Sequence, residues 1–471
     1  YAVEKALYLA QTGRPGPCWL DIPLNVQGAT VETDELEGFD PAKENLTAIP
    51  SVTNEQADAI IEKIRQAKRP VLNAGNGIRI AGAFDVFRRV VDKLGIPVVT
   101  GWNSIDLMED EHPLYTGRAG NMGDRAGNFA VQNSDLLFSV GSRLSIRQVN
   151  YDWPAWAKHA FVIMNDIDAE ELKKPSLHVE MPVWADAKDL LEKLESRLNE
   201  KLADGEVLFK GDEWRQVCEK WKKDYPVVQP KHYEQKSPAN VYAFIKEESR
   251  RLNEGQITVV GNGSACVVGG HGYVIKKGQR FISNSAIASM GYDLPAAIGA
   301  CVANKRYCKE TGEKEQDIIC VTGDGSIQMN LQELQTIIHH QYPIKIFLIN
   351  NGGYHSIRQT QNNYFGKPLI GIGKDSGDLS FPDMAKLAPA YGFPFIRIDS
   401  NDALGEGIEK ALSVNGPVIC EVMVDMDQKF EPKAASKPMP DGSMVSAPLE
   451  DLAPFLPEEE LKSIMRWSSE E

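Results

Sequence analysis

Two short segments bring together side chains and backbone that could hold a phosphorylated ligand through a divalent cation. Gly323-Asp324-Gly325 follows the apolar run from Asp317 to Thr322, and Asn350-Asn351-Gly352-Gly353 closes the run from Ile344 to Ile349. Between them Leu331, Leu334, Ile337 and Ile338 recur at helical spacing as far as Gln341. Strand, helix and strand joined by a right-handed crossover place two parallel strands with both carboxyl ends on one edge of a sheet. Asp324 and Asn351 are therefore expected side by side although 27 positions separate them. A carboxylate, a carboxamide oxygen and a backbone carbonyl after Asn351 make a hard-oxygen set that suits Mg2+ or Ca2+. Magnesium with so few protein ligands completes its shell with waters and phosphate oxygens. Gly323 and Gly325 let backbone N–H groups approach a phosphate, and Ser326 precedes a helix whose N-terminus favours an anion. A lone Gly-Asp-Gly in a chain with 39 glycines is an ordinary turn. Its pairing with the double asparagine one crossover later predicts a magnesium-diphosphate site.

The elements that must position these residues are legible as an alternation. Ala57, Ile60, Ile61 and Ile64 mark a helix from Asn54 to Lys68, followed by the buried strand Pro70 to Ala74 and the glycine turn 75–77. Phe84 to Leu94 is helical, and Ile96 to Thr100, Asp135 to Val140 and Phe161 to Ile167 are continuous apolar runs. A second alternation opens with a helix from Pro238 to Leu252, the strand Ile257 to Val260 and the turn Gly261-Asn262-Gly263. Continuous apolar strands between helices mean an α/β chain with open parallel sheets covered by helices on both faces. The expected domains are a remnant at 1–30, a linker at 31–52, a Rossmann-like central domain at 53–200, a helical connection at 201–236, a diphosphate and metal domain at 237–425 and a proline-rich tail at 426–471. Cys18 to Pro23 is read as a strand closing the remnant. The crevice outside the carboxyl ends of such a sheet is where a ligand would lie.

The glycine-aspartate turn followed by the double asparagine resembles the thiamin diphosphate signature, and residues 323–337 resemble its acetolactate synthase branch. Ser289 to Ala300 is similar to that family's segment beneath the cofactor, and residues 12–23 are similar to the end of its first domain. The resemblance covers nearly all of the chain and implies a thiamin-diphosphate-binding fold beside the Rossmann-like domain. It further implies that Asp324, Asn351 and the backbone oxygen of Gly353 ligate Mg2+, while Gly323, Gly325 and Ser326 hold diphosphate. Gly263 and Ser264 match a second phosphate loop, and Tyr354 and His355 join the cofactor contacts. The cofactor's own aminopyrimidine must reach its thiazolium carbon, which requires a folded cofactor over an apolar wedge. By resemblance Met290 is the wedge, and the carbonyl of Ala288 accepts from the pyrimidine amino group.

The chain departs from the family at three places. Acetolactate synthases usually carry glutamine and histidine where Ser264 and Ala265 stand. They place apolar residues and a tryptophan in the stretch Tyr354 to Gln361, where this chain has His355, Arg358 and Thr360. His355 and Arg358 could bind a carboxylate, a phosphate or a polyol oxygen, which suggests an acceptor larger and more polar than a second pyruvate. The family activates the aminopyrimidine with a glutamate of the first domain, delivered across a dimer interface. No residue of this chain is nominated for that role, and the isolated chain is expected to turn over poorly. Gly141 to Arg143 and Asn165 to Asp168 fall where the family's flavin contacts would lie; a flavin-free central domain is favoured over one holding FAD.

Composition narrows the classes. The 471 residues carry 51 basic and 66 acidic side chains, a net charge of −15, so phosphate backbones are repelled and no nucleic-acid partner is expected. No apolar run is long enough for a membrane span, and Tyr1 to Ala10 does not read as a signal peptide, so a cytoplasmic location is expected. The opening, Tyr1 to Leu7, reads as a helix already under way, and a natural N-terminus further upstream is expected. Seven scattered cysteines form no Cys-x-x-Cys motif, and Cys320 reads as a buried apolar residue. The expectation is a homodimer or homotetramer that decarboxylates a 2-oxo acid, pyruvate first, and transfers the two-carbon unit to a carbonyl acceptor. The alternatives are a lyase or C–C hydrolase without an acceptor, and a non-catalytic cofactor-binding fragment that needs a partner chain.

Overall fold

Each apolar run followed by a glycine turn becomes a strand of an open parallel sheet. A computed structural model describes residues 1–44, 46, 48–438 and 444–469. The strands are β1 (Pro70–Ala74), β2 (Val98–Thr100), β3 (Tyr115–Arg118), β4 (Leu136–Val140), β5 (Phe161–Asp166), β6 (Met181–Trp184), β7 (Ile257–Val260), β8 (Arg280–Ser283), β9 (Ile318–Gly323), β10 (Ile344–Asn350), β11 (Phe395–Ile398) and β12 (Val418–Met423).

The contacts divide the chain into two units, residues 1–95, 135–143 and 161–210 in one and residues 96–134, 144–160 and 211–471 in the other. In the first, β1, β4, β5 and β6 lie side by side, all parallel. The helix Asn54–Gln66 starts there on a capping box, in which the Thr53 hydroxyl accepts from the Gln56 N–H and the Gln56 side chain accepts from the Thr53 N–H. Ala57, Ile60, Ile61 and Ile64 form its buried face. The helix Phe84–Leu94 ends on Gly95, whose φ of +64° is the left-handed cap glycine adopts without a Cβ penalty.

The second unit holds the paired strands β2 and β3 and a parallel sheet in the order β11-β12-β10-β9-β7-β8. The central strands β9 and β10 are in register from Ile344 opposite Ile318 to Ile349 opposite Gly323, so their tips end level. Because side chains alternate across a strand, Ile319, Val321, Phe347 and Ile349 enter the core beneath Phe244 and Val268. Ile318, Cys320, Ile346 and Leu348 enter the opposite core with Leu294, Leu334 and Ile337. Burial of each such side chain stabilises the sheet by about 1.5 to 3 kcal/mol. A sheet covered on both faces in this way is rigid, and its edge is a stable base for a site.

Four local expectations change. Cys18 to Pro23 forms no strand, and Trp19 is 93% exposed, because an apolar stretch becomes a strand only where a neighbour completes its hydrogen bonds. The chain after Gly323-Asp324-Gly325 first makes a 3-10 turn, Ile327–Asn330, and only then the helix Glu333–His340, which closes on Gln341 at φ +53°. The tail is not wholly extended. It includes the paired segments Ser436–Pro438 and Met444–Ser446 and the helix Glu458–Ser469, while Pro440 lies outside the described residues. Residues 31–52 contain two 3-10 turns, Thr33–Glu35 and Pro41–Lys43, with Asn45 and Thr47 outside the described residues.

Two buried groups away from the sheet edge contribute to the pH response of the fold. Glu248 is 0% exposed with neither carboxyl oxygen hydrogen-bonded, and burial pushes it up to about 8. His271 is buried beside Arg118 and pushed down to about 4. The folded protein holds a proton on Glu248 that the unfolded chain releases, so stability falls as pH rises from about 4.5 to 8. His271 acts in the opposite sense, adding stability as pH rises to about 6.5. The slopes of these two groups oppose each other at acid pH; above about 6.5 His271 no longer contributes, and the Glu248 loss between there and pH 8 is about 2 kcal/mol. Thermal unfolding between pH 6.5 and 8.5 should show a falling melting temperature, flattened in Glu248→Gln; an unchanged slope in that variant would remove Glu248 as the cause.

Candidate functional site

Asp324 follows the last residue of β9 and is 3% exposed. Its N–H donates to the Ile349 carbonyl at 3.1 Å, which ties the turn to the tip of β10. The Gly325 N–H donates to one carboxylate oxygen at 2.8 Å and the Gly353 N–H to the other at 2.9 Å. Burial pushes the carboxyl up to about 7 against the pull of those N–H groups and of Arg358, so a cation at this point would gain a carboxylate that has no cationic side chain bonded to it.

Close backbone packing fixes the second tip. Gly353 sits at φ +143°, and a Cβ there would lie 1.9 Å from the Ile372 carbonyl oxygen. A Cβ on Gly325 would lie 2.4 Å from the Tyr354 ring, so the two tips interlock only with glycine at 325. Asn351 donates from its side-chain nitrogen to the Ser264 hydroxyl at 3.1 Å. Its carboxamide oxygen is buried and has no hydrogen-bond partner. A buried acceptor left unpaired costs about 1 to 3 kcal/mol unless a ligand satisfies it.

The residues nominated for the metal and thiamin diphosphate line one cavity of about 540 Å3: Gly263, Ser264, Ala288, Met290, Gly323, Asp324, Gly325, Ser326, Asn351, Gly353, Tyr354 and His355. Gly263, at φ +59°, is the N-cap of the helix Ser264–Gly272, and a Cβ at Gly323 would meet no protein atom. Packing therefore does not explain the glycine at 323, whereas close approach of a ligand would. Ala288 adopts φ +55°, and its carbonyl accepts from Asn262 at 3.3 Å with a second lone pair free. Met290 is 40% exposed where it lines the cavity.

Some side chains stand in roles the sequence did not suggest. The Ser326 hydroxyl donates to Asp293 at 2.9 Å and accepts from the Gly291 N–H at 3.0 Å, so its proton is already committed. Any contact of Ser326 with a phosphate would run through backbone N–H. Asp293 is fully buried, accepts also from Thr322 and the Leu294 N–H, and is pushed upward by burial. It clamps the end of β9 to the turn after it, and its only sequence signal is an acidic residue opening the helix Asp293–Thr311.

The reading of Arg358 as a ligand-binding cation is corrected. Arg358 is 1% exposed and makes a bidentate pair with Asp375 at 2.9 and 3.0 Å. Its remaining donors go to the carbonyls of Asn351 and Gly352, both at 3.1 Å. It holds the loop after β10 in place and takes up the two carbonyls that precede Gly353. His355 is 5% exposed, meets Gln359 at 2.7 Å and packs edge-on against Phe430; burial holds its imidazole below the usual range.

Sequence reasoning missed the remaining walls. Trp102 and Met122 come from the segments after β2 and β3, Arg147 from the short helix Ile146–Val149, and Phe430 and Lys433 from the tail. In the other unit, Glu171 gathers Arg14, Arg143 and Lys174 and is held down to about 2, while Asn165 donates to the carbonyls of Val183 and Ala185. Among the described residues no group of three or more His, Cys, Asp or Glu side chains could hold a metal ion. A cation here would instead use Asp324, the unpaired Asn351 oxygen and non-protein oxygens. Those donors fit magnesium with a diphosphate. No helix among the described residues is long and apolar enough to cross a membrane.

Comparisons with known proteins agree with the site. Residues 57–194 match the central domain of thiamine pyrophosphate enzymes, and residues 261–422 match their C-terminal thiamine-pyrophosphate-binding domain. The acetolactate synthase large subunit of Corynebacterium glutamicum is 30% identical over 92% of this chain and 67% of its own length. That of Cyanidium caldarium is 30% identical over 92% of the chain and 71% of its length. The acetolactate synthase isozyme 2 large subunit of Escherichia coli is 29% identical over 96% and 75% respectively. With two domain models matched and relatives of this identity aligned along most of their length, the chain belongs to the thiamine pyrophosphate enzymes of the acetolactate synthase-like family.

Proposed function

We propose that this protein is a carboligase that uses thiamin diphosphate and Mg2+ to decarboxylate a 2-oxo acid, pyruvate in the first instance, and joins the two-carbon unit to a carbonyl acceptor. When bound, thiamin diphosphate supplies the electron sink that lets a 2-oxo acid lose CO2. The chain's own residues hold and orient. Asp324, the Asn351 carboxamide oxygen and the Gly353 carbonyl take the cation, with Gly263 and Gly325 backbone groups on the diphosphate. Met290 supports the cofactor's fold, and the Ala288 carbonyl accepts from its amino group. The observation that carries this reading is the buried Asn351 oxygen without a hydrogen-bond partner, on a residue that lines the same cavity as Asp324.

Asp324 is the only carboxyl among the described residues lining the cavity. The carboxylate that activates the aminopyrimidine is therefore assigned to a second subunit. Ile357 at 48%, Tyr364 at 66% and Phe365 at 79% exposure give that subunit an apolar surface near the site, in keeping with a homodimer or homotetramer. A cytoplasmic location and a flavin-free central domain belong to the same proposal.

The test is CO2 release from pyruvate by the protein in its complete natural chain, with and without thiamin diphosphate and MgCl2, followed by product analysis. A carboligation product that needs both additions supports the reading. Acetaldehyde alone with every acceptor assigns a decarboxylase, and tight cofactor binding without CO2 release assigns a binding protein.

A further inference from the structure

We propose that Lys433 and the polar face of the helix His355–Tyr364 select an acceptor bearing both hydroxyl groups and a permanent anionic group, a carboxylate or a phosphate. This deepens the carboligase reading and rests on it. The cavity holds two cationic side chains, Arg147 and Lys433. Among the described residues no carboxylate lies within ion-pair distance of either, whereas Arg358, near the same site, is fully matched by Asp375. Arg147 places its guanidinium over the Trp102 ring, 5.8 Å from the centroid.

Lys433 is half-buried on a tightly anchored stretch of tail. Its N–H donates to the Ala453 carbonyl at 3.1 Å, and the Ala453 N–H donates back at 2.8 Å. Burial and the nearby Lys429 hold its ammonium below the usual lysine range, which is the condition of a cation waiting for an anion. The donor's carboxylate is a poor match for it. That group departs as CO2, and a cation gripping it would stabilise the ground state and oppose its loss. An anion that survives the reaction belongs to the acceptor.

The helix supplies the second half of the preference. Ser356, Gln359, Thr360 and Asn363 are spaced so that they share one face, and all four line the cavity. Gln359 is tied to His355 and the Gln428 carbonyl, and Thr360 donates to the Ser356 carbonyl. The side chains of Ser356 and Asn363 have no partner among the described residues. A wall of hydroxyl and amide groups is wasted on a methyl ketone and fits a hydroxylated chain. The overall step balances as pyruvate, a proton and the acceptor giving CO2 and an α-hydroxyketone. The C1–C2 bond of pyruvate breaks, its C2 bonds to the acceptor's carbonyl carbon, and the acceptor's oxygen takes the proton.

Three acceptors that share a hydroxyaldehyde separate the possibilities: glyceraldehyde, glyceraldehyde 3-phosphate and tartronate semialdehyde. With pyruvate as donor, the complete enzyme should prefer at least one anionic acceptor over glyceraldehyde by roughly tenfold or more in kcat/KM, in line with a charge-assisted contact. Which of the two wins tells phosphate from carboxylate. Lys433→Gln should lower that preference by roughly tenfold through the acceptor's KM, and Lys433→Arg should restore it. Asn363→Leu should narrow the preference for glyceraldehyde over propanal. CO2 release with no preference for charge, or an equal preference in Lys433→Gln, overturns this inference and leaves the carboligase reading standing. Absence of pyruvate-dependent CO2 release removes that reading and this inference with it.

Discussion

Asp324→Asn should abolish cofactor-dependent turnover and weaken binding of thiamin diphosphate with magnesium by roughly a hundredfold or more, beyond the 10 to 100-fold typical of groups that merely support a metal ligand. Two effects combine. The substitution removes the only carboxyl that lines the cavity among the described residues. It also turns one acceptor into a donor where both oxygens of Asp324 already receive backbone N–H groups, from Gly325 and Gly353. One N–H would then face an amide nitrogen, which cannot accept. Thermal unfolding with and without thiamin diphosphate and MgCl2 gives a readout independent of turnover. Ligand at a hundred times its dissociation constant should stabilise the parent by about 2.7 kcal/mol and leave the variant near its ligand-free midpoint. An equal shift in both proteins would remove Asp324 from the cation site.

The second large effect is expected at Arg358→Ala. Its guanidinium is buried and fully used by Asp375 and by the carbonyls of Asn351 and Gly352. Truncation strands Asp375 and frees the two carbonyls, and breaking a buried pair from one side costs roughly 3 to 5 kcal/mol. Asp375 keeps some exposure, with 26% of its side chain accessible, so the lower end of that range is expected. Because the loop that Arg358 holds carries Asn351 and Gly353, magnesium affinity should fall along with the unfolding midpoint. Replacing both partners, Arg358→Met with Asp375→Leu, should recover most of the stability without recovering the affinity. Were the double variant to bind magnesium normally, Arg358 would have no hold on the loop.

How much of this was legible follows from the range of the interactions. The two strand tips could be read because a β-α-β crossover is local and its handedness is fixed, so Asp324 and Asn351 had to meet the same edge. The cores could be read because the continuous apolar runs of β9 and β10 are a property of consecutive residues. Arg358 was misread because its charge in a polar stretch looks like a binding group until Asp375, 17 residues later, is seen to neutralise it. The 3-10 start of the helix after β9 was hidden for a similar reason, since it accompanies a Ser326 hydroxyl bonded to a buried Asp293 from a distant helix. The wall formed by Phe430 and Lys433 had no signal at all. Nothing in a proline-rich stretch says what it packs against.

That wall also constrains the order of events in the cell. The cavity is assembled from segments that run from Trp102 to Lys433, and the stretch bearing Lys433 is fastened by Ala453, 20 residues later. During synthesis the N-terminal parts emerge and fold first. A nascent chain can complete the sheet and present Asp324 and Asn351 while one side of the pocket is still unmade. A polypeptide clipped before Phe430 would therefore keep Asp324, Asn351 and the glycine turns and lack the wall that Phe430 and Lys433 make.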